Sequence, residues 1–263
     1  MRYSVEEAEL YAEREGSGES VVLIHAHSVD RRMWDFQFKL LAQEYDVVRY
    51  DMRGYGLSDM PVPGARFGHA EDLKRLMDRM GIANAHLVGL SLGSFVALDM
   101  LALHPERTLS VVVSSGALFD GPTELPAKHL PPEGREIDMT AFKADWLKDL
   151  LSCCNGEDET FREKLSEMVM SWSGWQPRFE TYLPIGGAAT AQRLTEARFS
   201  NTPALVLFGE LDSDGSRASC LALTSLLRQA LFKTIPHAGH FCNLENASAY
   251  NRELLAFLRS ACS

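Results

Sequence analysis

Short apolar blocks alternate along the chain with stretches in which apolar positions recur every three or four residues. Six blocks read as strands: Val21 to His25, Val47 to Tyr50, His86 to Leu90, Leu109 to Ser114, Ala204 to Phe208 and Phe232 to Ile235. Several are apolar on consecutive residues, the pattern of strands covered on both faces. Between them, Leu73, Leu76, Met77 and Met80 fall on one helical face, with Gly81 placed to end that helix. Ser94 to Leu103 reads as a second helix. Leu254, Phe257 and Leu258 predict a closing helix over 247–260. Strand and helix alternating in this way predict an α/β protein with a mostly parallel central sheet and helices on both faces.

The alternation stops between Gly121 and Arg193. Pro122, Pro126, Pro131, Pro132, Pro177 and Pro184 interrupt scattered helical pieces, and three of the four tryptophans fall here. The expected organisation is a core built from residues 1–120 and 194–263, with residues 121–193 inserted as a helical cap over one edge of the sheet.

Composition narrows the partners. The 263 residues are 46% hydrophobic and 24% charged, as in ordinary globular proteins. Thirty-six acidic against 26 basic residues give a net charge of −10. That field repels nucleic acid and anionic membranes, and no basic patch offsets it. No apolar run reaches the length of a membrane span, and no leader is expected, since Glu6 and Glu7 follow the start closely. Five cysteines, at 153, 154, 220, 242 and 262, show no metal-ligand spacing. No metal or organic cofactor is expected, and the expected compartment is the cytoplasm.

Gly89-Leu90-Ser91-Leu92-Gly93 follows a strand and opens a helix. A bare G-x-S-x-G arises by chance in roughly one chain in ten of this length, so the context carries the weight. Strand, pentapeptide and helix together form a nucleophile elbow, a tight turn that holds a serine hydroxyl away from the backbone beside the N–H groups of a helix start. The competing interpretation is a plain glycine-rich turn.

A serine hydroxyl needs a base, and the base needs a carboxylate to set its tautomer. Apart from His25 and His27 near the third strand's end, His86 and His104 fit packing or capping roles, and His69 and His129 fit exposed positions. His237 and His240 remain, both after the last strand, and Gly239 favours His240 by permitting close backbone approach. Asp212 lies just past the strand ending at Phe208, where open α/β sheets gather catalytic groups. Glu210, Asp214 and Asp120 are the alternatives. The order Ser91, Asp212, His240 is that of the α/β-hydrolase triad.

Three further segments resemble that superfamily. His25-Ala26-His27-Ser28 is similar to its oxyanion loop, Asp51-Met52-Arg53-Gly54-Tyr55-Gly56-Leu57-Ser58 to its D-x-R-G-x-G-x-S turn, and 235–250 to its catalytic-histidine loop and last helix. The runs 29–35 and 240–245 most resemble the branch of esterases and lactonases related to 3-oxoadipate enol-lactonase. The resemblance implies an α/β-hydrolase fold, and it implies that the backbone N–H groups of His27 and Leu92 form the oxyanion hole. Asp51 is expected to hold its own turn together. Ala26 stands where the family usually has Gly, which would let His27 project its imidazole into the pocket. Ser213-Asp214-Gly215 replaces a frequent Thr-Pro.

A serine nucleophile points to acyl transfer to water. The expected substrate is a small, partly apolar carboxylic ester or lactone, cleaved by a serine esterase or lactonase through an acyl-enzyme on Ser91. Trp146, Trp172 and Trp175 are candidate pocket residues, although aromatic residues at such spacing also build a cap's own core. A carbon–carbon bond hydrolase, a cofactor-free oxygenase and a non-catalytic small-molecule receptor use the same scaffold and remain alternatives. Nothing in the pattern specifies an oligomeric state.

Overall fold

The structure is a computed structural model that describes residues 1–116, 138–179, 188–195, 201–227 and 229–261. Eight strands form one sheet: β1 (Arg2–Val5), β2 (Ala8–Gly16), β3 (Ser20–Ile24), β4 (Asp46–Tyr50), β5 (Ala85–Leu90), β6 (Thr108–Ser114), β7 (Ala204–Gly209) and β8 (Ala230–Ile235). Their spatial order is β1-β2-β4-β3-β5-β6-β7-β8. β1 and β2 run antiparallel to their neighbours, and β3 through β8 are parallel to one another.

The consecutive apolar residues of the central strands serve two cores. Val22, Ile24, Leu87, Val111, Val113, Val206 and Phe208 face one side, and Val21, Leu23, Val88, Val112, Leu205 and Leu207 the other. Such strands must be covered on both faces. On the first side lie α2 (His69–Met80) and α3 (Leu92–Leu103), which contribute Leu73, Leu76, Met77, Val96, Leu98 and Leu101. On the second lie α1 (Asp35–Leu41) and the closing helix α10 (Ala247–Ala261), through Phe38, Leu41, Tyr250, Leu254 and Leu258. Gly81 ends α2 at φ 70°, the left-handed position that glycine adopts without a Cβ penalty.

The six predicted strands match β3 to β8 within two residues at either end. The β1–β2 hairpin lies outside that pattern because only Val5, Leu10 and Ala12 of it are buried among charged neighbours. Its turn at Glu6 and Glu7 carries no Gly or Asn, although Glu7 adopts φ 55°. His69 departs from expectation in the other direction. It is buried beneath Phe67 and Tyr55 rather than exposed, because the first turn of α2 is packed against the loop that follows β4.

Residues 138–195 supply α4 (Met139–Ser152), α5 (Glu159–Ser171), α6 (Trp175–Phe179) and α7 (Ala188–Leu194). Asp138 and Asp158 cap α4 and α5, each carboxylate accepting two backbone N–H groups. These helices meet loops at the carboxyl ends of the parallel strands. Trp146 reaches Ser28 after β3, Gln176 and Ser173 reach Gly54 after β4, and Asn155 reaches His237 after β8. The first part of the predicted insertion, 121–137, lies outside the described residues. Among the described residues no helix is long and apolar enough to cross a membrane.

Candidate active site

Parallel register brings the carboxyl ends of β3 to β8 to one edge of the sheet, and the residues named from sequence follow there. His27 comes after β3, Asp51 after β4, Ser91 after β5, Asp212 after β7 and His240 after β8. The chain passes from β3 to β4 on one side and then crosses to β5 on the other. His27 and Ser91 therefore flank the topological switch point, where open α/β sheets bind their ligands.

Ser91 occupies φ 53° and ψ −115°, a sparsely populated conformation for a residue with a side chain. The turn is held from three sides. Ser91 N–H donates to Ser114 O at 2.9 Å, and Phe95 and Ser94 N–H return to Ser91 O at 3.3 and 2.9 Å. The Ser94 hydroxyl lies 3.0 Å from both Gly89 O and Ser114 O. Gly93 permits the turn to lie on the end of β3, since a Cβ there would sit 2.1 Å from Ile24 O. The N–H of Leu92, at the first position of α3, is among the first four of the helix that have no intrahelical acceptor.

His240 Nδ1 lies 3.1 Å from Asp212 Oδ2. The Asp212 side chain is 1% exposed and that of His240 is 19% exposed, so the imidazole reaches outward from a buried carboxylate. Burial pushes the Asp212 carboxyl up. The His240 hydrogen bond and charge and the Ser213 N–H at 2.7 Å lead the contacts that outweigh this and hold it below the usual carboxylate range. Glu210 accepts from His237 N–H at 2.9 Å instead. Asp120 lies outside the described residues, as does His129.

Asp51 is fully buried and accepts from Arg31 N–H at 2.9 Å, from the Arg31 guanidinium at 2.8 Å and from Leu57 N–H at 2.8 Å. These bonds tie its turn together, the role expected of it. Behind the oxyanion-like loop, Met52 N–H donates to His25 Nε2 at 2.9 Å, and His25 Nδ1 faces Ala26 O at 2.7 Å. Burial lowers the His25 pKa, and with Nε2 already accepting, the neutral Nδ1–H tautomer satisfies both contacts. The neighbouring Ser28 adopts φ 60°. Its hydroxyl donates to His27 O at 2.6 Å and accepts from Trp146 Nε1–H at 2.7 Å.

The predicted pocket aromatics divide. The His27 ring is edge-on to Trp146 at 5.8 Å and to Trp172 at 5.0 Å, and its Nδ1 lies 2.7 Å from the Tyr55 hydroxyl. Trp175, itself buried, instead packs on the exposed Phe179 at 5.6 Å. Trp172 is also bonded through its Nε1–H to Gln176, which donates to Gly54 O. Among the described residues no group of His, Cys, Asp and Glu is arranged to hold a metal ion.

Sequence reasoning assigned no role to Ser28, Ser94, Ser115 or Glu245. Serines carry no pattern of their own, and each of the four residues has at least one partner that only a distant segment supplies: Trp146 for Ser28, Ser114 for Ser94, His240 for Ser115 and Asn155 for Glu245.

The chain belongs to the α/β-hydrolase fold family, whose pattern matches residues 19–247. It is 27% identical over 264 aligned residues to 2-hydroxy-6-oxo-6-phenylhexa-2,4-dienoate hydrolase of Burkholderia cepacia, covering 92% of this chain and 88% of that one. Among solved structures it resembles the enol-lactonase from Burkholderia xenovorans LB400, with TM-score 0.84, 23% identity and coverage of 98% and 100%. It also resembles a thermophilic esterase from Thermogutta terrifontis, with TM-score 0.78, 24% identity and coverage of 97% and 95%. Both structural likenesses concern the fold.

Proposed function

We propose that this hydrolase is a serine esterase or lactonase that uses Ser91 as nucleophile, His240 as general base and Asp212 as the carboxylate that orients it. The observation that carries the reading is the pairing of a strained serine elbow with a histidine bonded through Nδ1 to a buried carboxylate. That bond leaves Nε2 to take the serine proton. Ser91 Oγ attacks the carbonyl carbon, and its proton passes to His240. The tetrahedral oxyanion is received by the backbone N–H groups of His27 and Leu92, each such donor contributing about 3 kcal/mol in the transition state. Collapse expels the alcohol, which takes the proton from His240. Water deprotonated by the same imidazole then releases the acid. Helices α4 to α6 form the cap, and Trp146 and Trp172 wall the acyl site beside His27.

The deciding experiment is pH-stat hydrolysis by wild type and Ser91→Ala over short and long acyl esters, aryl esters and five- to seven-membered lactones. Multiple turnovers that vanish in the variant support the reading; equal turnover by the two removes Ser91. A second reading, hydrolysis of a carbon–carbon bond in a vinylogous diketone acid, is favoured by the identity to the Burkholderia cepacia dienoate hydrolase over most of both chains. Ring-cleavage products added to the same panel discriminate, since turnover of these orders of magnitude above that of any ester selects it.

A further inference from the structure

The histidine loop makes more backbone hydrogen bonds than its length requires, and they converge on one side chain. Glu245 ends the short helix α9 (Cys242–Glu245). Its Oε2 accepts from Gly239 N–H at 2.8 Å and its Oε1 from Phe241 N–H at 3.0 Å, so the carboxylate brackets His240 from both sides. The same Oε2 accepts from Asn155 N–H at 2.5 Å, and Asn155 belongs to the segment that follows α4. The N–H of His240 itself donates to Cys153 O at 2.8 Å in that segment. Asn155 Nδ2 adds a bond to His237 O at 3.0 Å, and the Ser115 hydroxyl donates to His240 O at 3.1 Å. Gly239 fits so closely that a Cβ there would sit 2.2 Å from Cys153 O.

We infer that Glu245 is a positioning residue that sets the place of His240 by joining the histidine loop to the cap segment Cys153–Asn155. The inference rests on the reading of His240 as the base. A carboxylate is suited to the task because its two oxygens can accept three N–H groups that converge from two directions. Glutamine offers one acceptor oxygen and turns an NH2 toward a donor, and aspartate is one methylene short. Because three successive N–H groups, of 239, 240 and 241, are held by Glu245 and Cys153, the cap cannot leave the loop at this corner without releasing His240. Displacement of a catalytic group by about 1 Å can lower a rate about 100-fold.

The test is a mutant cycle in the full chain with p-nitrophenyl butyrate turnover and the rate of fluorophosphonate labelling of Ser91 as readouts, taken well below each variant's melting temperature. Glu245→Gln is expected to lower kcat and the labelling rate about 10- to 100-fold, with KM changed less than about threefold. In a His240→Ala background the same substitution is expected to change the residual rate less than twofold, because Glu245 acts through His240. Glu245→Asp serves if the glutamine variant does not fold, with the same expectation at smaller size. Asn155→Ala, which removes only the bond to His237 O, is expected to lower kcat about two- to fivefold, again only when His240 is present.

An undiminished kcat in folded Glu245→Gln, or an equal loss without His240, overturns the proposal. An unchanged kcat in Asn155→Ala removes the cap from it. If His240→Ala keeps wild-type rates, or wild type neither turns over the ester nor labels, the triad reading itself falls and the proposal with it. Loss in His240→Ala without loss in Glu245→Gln sinks only the proposal.

Discussion

The serine elbow and the histidine loop bring two groups to one edge of the sheet by opposite means. The elbow is made from one continuous stretch, β5 through α3. Its strained φ is imposed by a buried strand, a buried helix and a glycine seated on the end of β3. The histidine loop is held by hydrogen bonds from Ser115 after β6 and from the segment after α4, both remote in sequence, and from the adjoining α9. The serine is thus presented by backbone sterics, and the histidine by polar contacts. Damage to the first should register in stability as well as activity, and damage to the second mainly in activity.

The largest effect expected is at the elbow's tip. Ser91→Ala should lower kcat/KM by about 10⁴-fold or more, checked by pH-stat turnover. Ser91→Gly should be equally inactive yet melt about 2–4 °C higher, because glycine adopts φ 53° without the cost of about 1 kcal/mol that a side chain incurs. A lower melting temperature for Ser91→Gly would show that the turn stores no strain.

In the polar half, Asp212→Asn should cost about 10³- to 10⁴-fold in kcat, since the amide no longer selects the histidine tautomer. Its pH signature follows from the depressed carboxyl. The stability that ionised Asp212 contributes is present above its unfolded pKa, about 3.9, and is lost as pH falls through the lower folded value. Urea unfolding midpoints of wild type and Asp212→Asn should therefore converge below about pH 4. A constant gap across pH would mean that the carboxylate is not held by its partners.

Gly93→Ala tests the steric half without touching a reactive group. The added Cβ meets backbone carbonyl oxygens of Ile24 and His25 that cannot yield cheaply, and a cost of about 3 kcal/mol is expected. In a chain of this size that lowers the melting temperature by about 6–12 °C, measurable by differential scanning calorimetry.

The smallest effect concerns His69, which packs on Tyr55 and Phe67 and belongs to neither region. It is buried with Nδ1 lacking a partner among the described residues, and burial pushes its pKa down to about 3. Between pH 6.5 and 3 the unfolded chain binds a proton that the folded chain refuses, so stability falls as pH falls, by at most about 1.4 kcal/mol per pH unit. His69→Phe should be near neutral at pH 7. It should gain about 2 kcal/mol over wild type at pH 5 in urea titrations. A gain independent of pH would point to packing instead.

Legibility follows the same division. Ser91 was readable because its turn demands glycines within two residues on either side and a strand and helix around it, all contiguous. The central strands were readable because burial on both faces leaves an unbroken apolar run. The β1–β2 hairpin was not, since edge strands hide few side chains and keep their charges. His240 and Asp212 were chosen by position after strands rather than by local pattern. Their 3.1 Å contact depends on β7 and β8 being neighbours, which no local sequence encodes.

The sequence by itself determined the alternation of strand and helix, the elbow, and the chain order of Ser91, Asp212 and His240, because each is a matter of periodicity, of backbone sterics within a few residues, or of position along the chain. Tertiary structure alone decided that Ser28 joins Trp146 to the His27 carbonyl, that Ser115 holds the His240 carbonyl, and that Glu245 ties the N–H of distant Asn155 to those of its own loop. The reason is physical: a hydrogen bond needs its partners within about 3 Å and aligned, and folding sets that condition between segments that are far apart in the chain.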